Sequence, residues 1–173
     1  PLAHCCAAAA RSSPPCEAAI APHIAAQQAD ISLTVASLKA ACVEGLAQTA
    51  DKQIIEGAGG WRVPLNDSET LADFARELRL PVILVVGLRL GCINHACLTA
   101  EAIEADGLQV AGWVANGIDP HMDVQQDNLN YLLQWFERRG IPHLGTVPHL
   151  SGIDPFDAEQ LTAVANCLRW PAA

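Results

Sequence analysis

The feature that most constrains the fold is the run Pro81-Val82-Ile83-Leu84-Val85-Val86-Gly87-Leu88, an unbroken apolar stretch rich in β-branched residues and closed by Arg89. A strand with one face in water alternates apolar and polar residues. A run without alternation predicts a strand buried on both faces, and therefore a parallel sheet with helices above and below it. Eight residues are too few to cross a bilayer, so this is a core strand and no membrane segment is expected.

The rest of the chain fits that frame. Lys52 to Glu56, 109–115 and 144–147 are further strand candidates, and each is followed by glycine, asparagine or proline. Helical spacing appears over 30–49 (Val35, Leu38, Cys42, Leu46), 70–78 (Leu71, Phe74, Ala75, Leu78) and 128–138 (Leu129, Leu132, Leu133, Phe136), with further helices at 95–104 and 157–168. Asp30 is read as the cap of the first of these helices. Strand and helix alternate at the spacing of βαβ units, which predicts an α/β domain: a doubly wound, mostly parallel sheet with helices on both faces. It runs over residues 20–173, with no Pro- or Ser-rich linker to divide it. Residues 1–19, PLAHCCAAAARSSPPCEAA, show neither period and are read as an atypical, tail-like or disordered segment.

Composition narrows the function. An apolar fraction of 51% supports a core and excludes a disordered chain. Ten Lys and Arg against nineteen Asp and Glu give a net charge of -9, so no nucleic-acid partner is expected, because affinity for phosphate backbones comes from cations. Seven cysteines with no C-x-x-C pair suit neither a disulfide scaffold nor a structural zinc site, and point to a reducing, cytoplasmic setting. His4, Cys5, Cys6, Cys16 and His23 are read as incidental rather than as a metal set. No secretory leader is visible in the residues given, the first of which is Pro1.

In an open parallel sheet ligands collect at the carboxyl ends of the strands. Four such places stand out. Glu56-Gly57-Ala58-Gly59-Gly60 offers a carboxylate that suits Mg²⁺ and glycine amides that can approach an anion; the alternative is a tight turn beside a solvated acid. Gly91-Cys92-Ile93-Asn94-His95 opens a helix whose N-terminal amides favour a carboxylate or phosphate. The alternatives there are a plain capping turn using Asn94, or Cys92 as a nucleophile on a strand-to-helix elbow. Asn116-Gly117 carries an amide suited to an adenine edge, or is simply a turn pair, and Pro148-His149-Leu150 follows the last strand. His121, His143, His149 and Trp113 have no spacing that demands a role and are read as structural or surface residues. The sequence contains no G-x-x-x-x-G-K-[ST], G-x-S-x-G, H-E-x-x-H or G-x-G-x-x-G motif.

Longer motifs go beyond these generic signals. Ile55-Glu56-Gly57-Ala58-Gly59-Gly60-Trp61 with Val63-Pro64-Leu65, then Pro81 through Gly91-Cys92-Ile93-Asn94-His95-Ala96, then Gly112-Trp113-Val114-Ala115-Asn116, closely resemble the dethiobiotin synthetase family, in order and from about residue 21 to the last helix. The resemblance implies a homodimeric, P-loop NTPase-like α/β fold, here incomplete at its N-terminus. It also implies ATP- and Mg²⁺-dependent closure of a ureido ring on 7,8-diaminononanoate with CO₂, in biotin biosynthesis. By the same resemblance Glu56 would hold the metal, and Gly57, Ala58 and Gly59 would lie by the nucleotide phosphates. Asn116, Gly117, Pro148, His149 and Leu150 would meet adenine, and Gly91, Cys92, Ile93 and Asn94 would receive the substrate carboxylate across the dimer interface. The family's phosphate-loop Lys and Thr, its following catalytic Lys and a second acidic metal ligand have no match in these 173 residues, which predicts that the chain is inactive alone. The competing readings are a non-catalytic α/β dimerisation or small-carboxylate-binding module, and a thiol hydrolase using Cys92.

Overall fold

A computed structural model describes residues 2–6, 21–47, 49–57, 59–152, 154 and 157–171. The fold is α/β, and every strand pair is parallel. The sequence shows no linker, yet the packing divides the chain into two compact units, Pro1–Leu80 and Pro81–Ala173.

In the first unit β1 (Leu2–Cys6) pairs with β2 (Lys52–Glu56), from Leu2 opposite Lys52 to Cys6 opposite Glu56. The reading of residues 1–19 assigned no element to Leu2–Cys6. Main-chain pairing makes the strand without any alternation for a sequence pattern to detect. Helix α1 (Pro22–Gln28) was also missed; a proline in its first turn sets the backbone without needing a donor there.

Helix α2 (Val35–Leu46) starts four residues later than the Asp30 cap would place it, and Asp30 instead adopts a left-handed φ of 53°. The start is set by a reciprocal cap: the Ser37 amide donates to Thr34 Oγ1 at 3.0 Å and the Thr34 amide to Ser37 Oγ at 2.9 Å. Helix α3 (Leu71–Leu78) repeats the device with Thr70 and Asp73. The Thr70 hydroxyl and amide both donate to the Asp73 carboxylate and hold its pKa below the usual range. Leu38, Cys42, Leu65 and Phe74 form the core of this unit.

The second unit is a β-α-β-α-β run, β3 (Val82–Leu88), α4 (Cys92–Ala105), β4 (Val110–Gly117), α5 (Gln125–Glu137) and β5 (His143–Val147), with sheet order β3-β4-β5. Helix α6 (Ala158–Ala165) follows, and the chain after it returns antiparallel along β5, with Leu168 opposite Gly145. The expectation that β3 is buried on both faces needs correction. Val86 and Leu88 are 5% and 1% exposed, but Val85 is 58% exposed. Among the described residues β3 is an edge strand of its sheet, so its apolar sequence outruns the burial it receives. Trp113 at the middle of β4 anchors the core, stacked on Phe136 with ring centroids 4.7 Å apart and tilted against His143 at 4.7 Å.

Burial pushes the His143 imidazole below its usual pKa; a hydrogen bond with the Gly145 backbone opposes this with a smaller effect, and the Arg169 charge adds the least, in the same direction as burial. The unfolded chain therefore binds more protons than the native one as pH falls below about 6.5. Stability is fully present above that value and declines as the pH drops towards the lowered native pKa. The urea midpoint is expected to fall over this acidic window, and His143→Gln is expected to flatten that slope. An unchanged slope in the variant would refute the assignment.

Candidate functional site

The candidate residues lie where strands end. In the first unit Glu56 closes β2 with an exposed carboxylate. Gly57 and Gly59 follow it, also exposed, and Gly59 and Gly60 take φ values of 83° and 111°. A Cβ on Gly57 would lie 3.9 Å from Leu71 Cδ1, so the end of β2 runs beside the start of α3. Ala58 lies outside the described residues. Among the described residues no group of three or more His, Cys, Asp or Glu stands together. Glu56 therefore offers a single carboxylate, a donor set suited to a magnesium ion that takes its other ligands from phosphates and water.

In the second unit the structure brings together residues 31 and 32 positions apart. Asn116 is the register partner of Val147, and the backbone continues as Gly117 on one strand and Pro148-His149 on the other. A Cβ added to Gly117 would lie 2.7 Å from the His149 nitrogen and 3.2 Å from both the Pro148 carbonyl carbon and the Val147 oxygen. All three are backbone atoms that cannot swing aside, so only glycine lets the ends of β4 and β5 approach this closely. Asn116 is half-buried, whereas Pro148, His149 and Leu150 are exposed, Leu150 at 43%. The result is a backbone-lined shelf with one half-buried side-chain amide, able to offer donors and acceptors to the edge of a flat heterocycle.

The end of β3, on the other side of β4, leads directly into α4. Gly91 is its N-cap at φ 90°, and no side chain caps the helix. A side chain at Gly91 would be strained by that φ, and the open N-terminal turn is suited to an anion. Two alternatives fall here. Asn94 lies inside the helix rather than ahead of it, so there is no Asn94 capping turn. Cys92 is 3% exposed and packs in the core, which removes it as an accessible nucleophile. Cys92 and Ile93 can thus contribute backbone, but the Cys92 side chain faces inward. Cys92, Cys97 and Cys167 are free thiols.

His143 stands at the opposite end of β5 from Pro148, outside this cluster. His121 sits in a turn closed by its amide on Asp119 Oδ1 at 2.9 Å. The Asn128 side chain donates to the Val124 carbonyl at 3.0 Å. Sequence reasoning passed over Gly87 and Ile118: a Cβ on Gly87 would meet Ile118 Cδ1 at 2.6 Å. A glycine inside an otherwise apolar strand run is itself the signal of such a close approach.

The AAA domain family model matches residues 8–156. An ATP-dependent dethiobiotin synthetase of Cellvibrio japonicus is 59% identical over 135 residues, covering 78% of this chain and 58% of that protein. The enzyme of the same name from Pseudomonas aeruginosa (strain UCBPP-PA14) is 56% identical over 137 residues, covering 79% and 59%. That from Aromatoleum aromaticum is 52% identical over 152 residues, covering 88% and 63%. The chain thus spans about three fifths of the length of these curated relatives. Among the described residues no helix is long and apolar enough to cross a membrane. A parallel α/β fold with its candidate residues at the strand ends, matched over residues 8–156, makes the chain a member of the AAA domain family, and over about four fifths of its length it is similar to dethiobiotin synthetases.

Proposed function

We propose that this chain is part of an ATP-dependent dethiobiotin synthetase, in which it supplies the base-binding shelf and the pocket for the substrate carboxylate. The observation that carries the reading is the approach of Gly117 to Pro148-His149 beside the half-buried Asn116 amide. Similarity of 59%, 56% and 52% to enzymes of that name supports it. The reaction joins 7,8-diaminononanoate and CO₂ as a carbamate, which ATP phosphorylates with release of ADP before the second amine displaces phosphate and closes the ring.

Each residue then has a task set by its chemistry. Asn116 donates to and accepts from the adenine edge, with Gly117, Pro148, His149 and Leu150 forming the shelf. The amides from Gly91 to Asn94 donate to the substrate carboxylate, and the dipole of the fourteen-residue α4 favours that charge. Gly57 and Gly59 would approach the phosphates through their amides, with Glu56 as a carboxylate ligand of Mg²⁺. When bound, that ion offsets the repulsion between polyphosphate and a chain of net charge -9 and stabilises charge on the transferred phosphoryl group. Leu90, next to the Gly91 cap, is 92% exposed and Leu98, further along α4, is 57% exposed, apolar surface that supports a homodimer. The free thiols of Cys92, Cys97 and Cys167 suit the cytoplasm.

Calorimetry of the 173-residue chain with Mg-ATP tests the reading. Binding is expected to be stronger for ATP than for GTP, because the Asn116 amide reads the base edge. Gly117→Ala should weaken it about tenfold or more, as the added methyl forces the shelf apart. Equal affinity for ATP and GTP, or Gly117→Ala binding as well as the parent, would overturn the proposal.

A further inference from the structure

Gly87 and Asn116 are register partners in the parallel pair β3-β4, so they share one face of the sheet. Ile118 is two residues beyond Asn116 and returns to that face. A Cβ on Gly87 would stand 2.6, 3.3 and 3.7 Å from Ile118 Cδ1, Cγ1 and Cγ2, so the Ile118 side chain occupies the volume that any other residue at position 87 would fill. Ile118 is nonetheless 46% exposed. One flank is seated on β3 and the other is open beside the Asn116-Gly117 shelf.

We propose that Ile118 is a positioning residue for the base site: seated in the Gly87 hollow, it pins the segment that carries the Asn116 amide and presents its open flank to the plane of a bound purine. The inference rests on the nucleotide reading above for its ligand, but its mechanical part concerns the protein alone. Just beyond Ile118 the chain turns at Asp119, whose carboxylate accepts the His121 amide at 2.9 Å, and Val124 takes a left-handed φ of 49° before α5 begins. Without a side-chain anchor at 118, the end of β4 would pass straight into this turn. A β-branched, stiff residue is the side-chain type that makes such a peg effective, because seating it removes few rotamers.

Amide hydrogen exchange on the 173-residue chain separates the parts. Ile118→Ala should speed exchange over 116–121 by about tenfold while 110–114 keeps its protection, and Ile118→Val, which retains the branched peg, should restore most of it. Gly87→Ala should loosen the same segment by displacing Ile118. Combined with Ile118→Ala it should do less than the product of the two single effects, because its methyl enters space already vacated. Unchanged exchange in Ile118→Ala, or a multiplicative double variant, would overturn the proposal.

Addition of Mg-ATP should slow exchange over 116–121 in the parent and in Ile118→Val, but not in Ile118→Ala. If the variants loosen the segment as expected while Mg-ATP protects nothing in the parent, the pinning by Ile118 stands and the nucleotide reading is the part that fails. If Mg-ATP protects Ile118→Ala as well as the parent, the positioning role is wrong and the nucleotide reading survives.

Discussion

Trp113→Ala is expected to lower the unfolding free energy of the Pro81–Ala173 unit by about 3–5 kcal/mol, the largest loss for any single truncation in its core. The indole is 0% exposed and lies between Phe136, stacked at 4.7 Å, and His143, tilted at 4.7 Å, so its removal strips both rings of a partner and leaves a cavity between β4, α5 and β5. Phe136 has its own edge contact with Trp135 at 4.9 Å, but that ring stands on the same helix and cannot follow into the space. Trp113→Phe makes a sharper comparison. The indole Nε1 is buried with no hydrogen-bond partner among the described residues, an arrangement that itself costs about 1–3 kcal/mol. Phenylalanine removes that orphan donor along with one ring, and the two effects offset, so the loss should stay well under that of alanine. Urea denaturation followed by circular dichroism measures both. A Trp113→Ala variant within 1 kcal/mol of the parent would show that the ring stack does not carry the unit.

The neighbouring strand β3 was legible in the sequence. Val82 to Val86 announced a parallel α/β sheet because continuous β-branched apolar runs have few other uses, and β2 was bounded correctly at Lys52–Glu56 by the glycines after it. The Thr70 start of α3 was legible for a similar reason: its cap is local, three residues from end to end. Asp30 was misread because Thr34 and Ser37 satisfy each other's amides and outcompete a lone acid four residues upstream. The exposed flank of Val85 was not legible at all, since burial depends on which strand lies alongside and not on the residue itself. At the site, Asn116-Gly117 and Pro148-His149 could each be singled out by position after a strand. That Gly117 is needed because the His149 backbone comes within 2.7 Å of a would-be Cβ is a long-range fact with no local pattern. Gly87 and Ile118 belong to the same class, with the mid-strand glycine as the only local trace.

Gly145→Ala is expected to be the other severe change, costing about 3 kcal/mol or more and detaching the segment that follows α6 from the sheet. Gly145 lies in β5 at φ 146°, and a Cβ built on it would stand 2.0 Å from the Cys167 carbonyl oxygen, 3.0 Å from its carbon and 3.1 Å from Leu168 Cα. Those are backbone atoms of the returning chain, which is held by the pairing of Leu168 with Gly145 and by the Arg169 amide donating to the Leu144 carbonyl at 2.7 Å. No rotamer change relieves the clash, and altering the Cys167 side chain cannot either, because the offending atom is its carbonyl. The backbone must part, and with it goes the hydrogen bond that protects Arg169. Trypsin then supplies a local readout: cleavage after Arg169 should be much faster in Gly145→Ala than in the parent, at a temperature where β3 and β4 still resist exchange. Since β5 continues directly into Pro148-His149-Leu150, loosening on this side should also weaken the shelf at the far end of the strand, though less than Gly117→Ala does by acting on the shelf itself. A Gly145→Ala chain as stable as the parent and cut no faster after Arg169 would mean that the returning segment is not bound to β5 in solution.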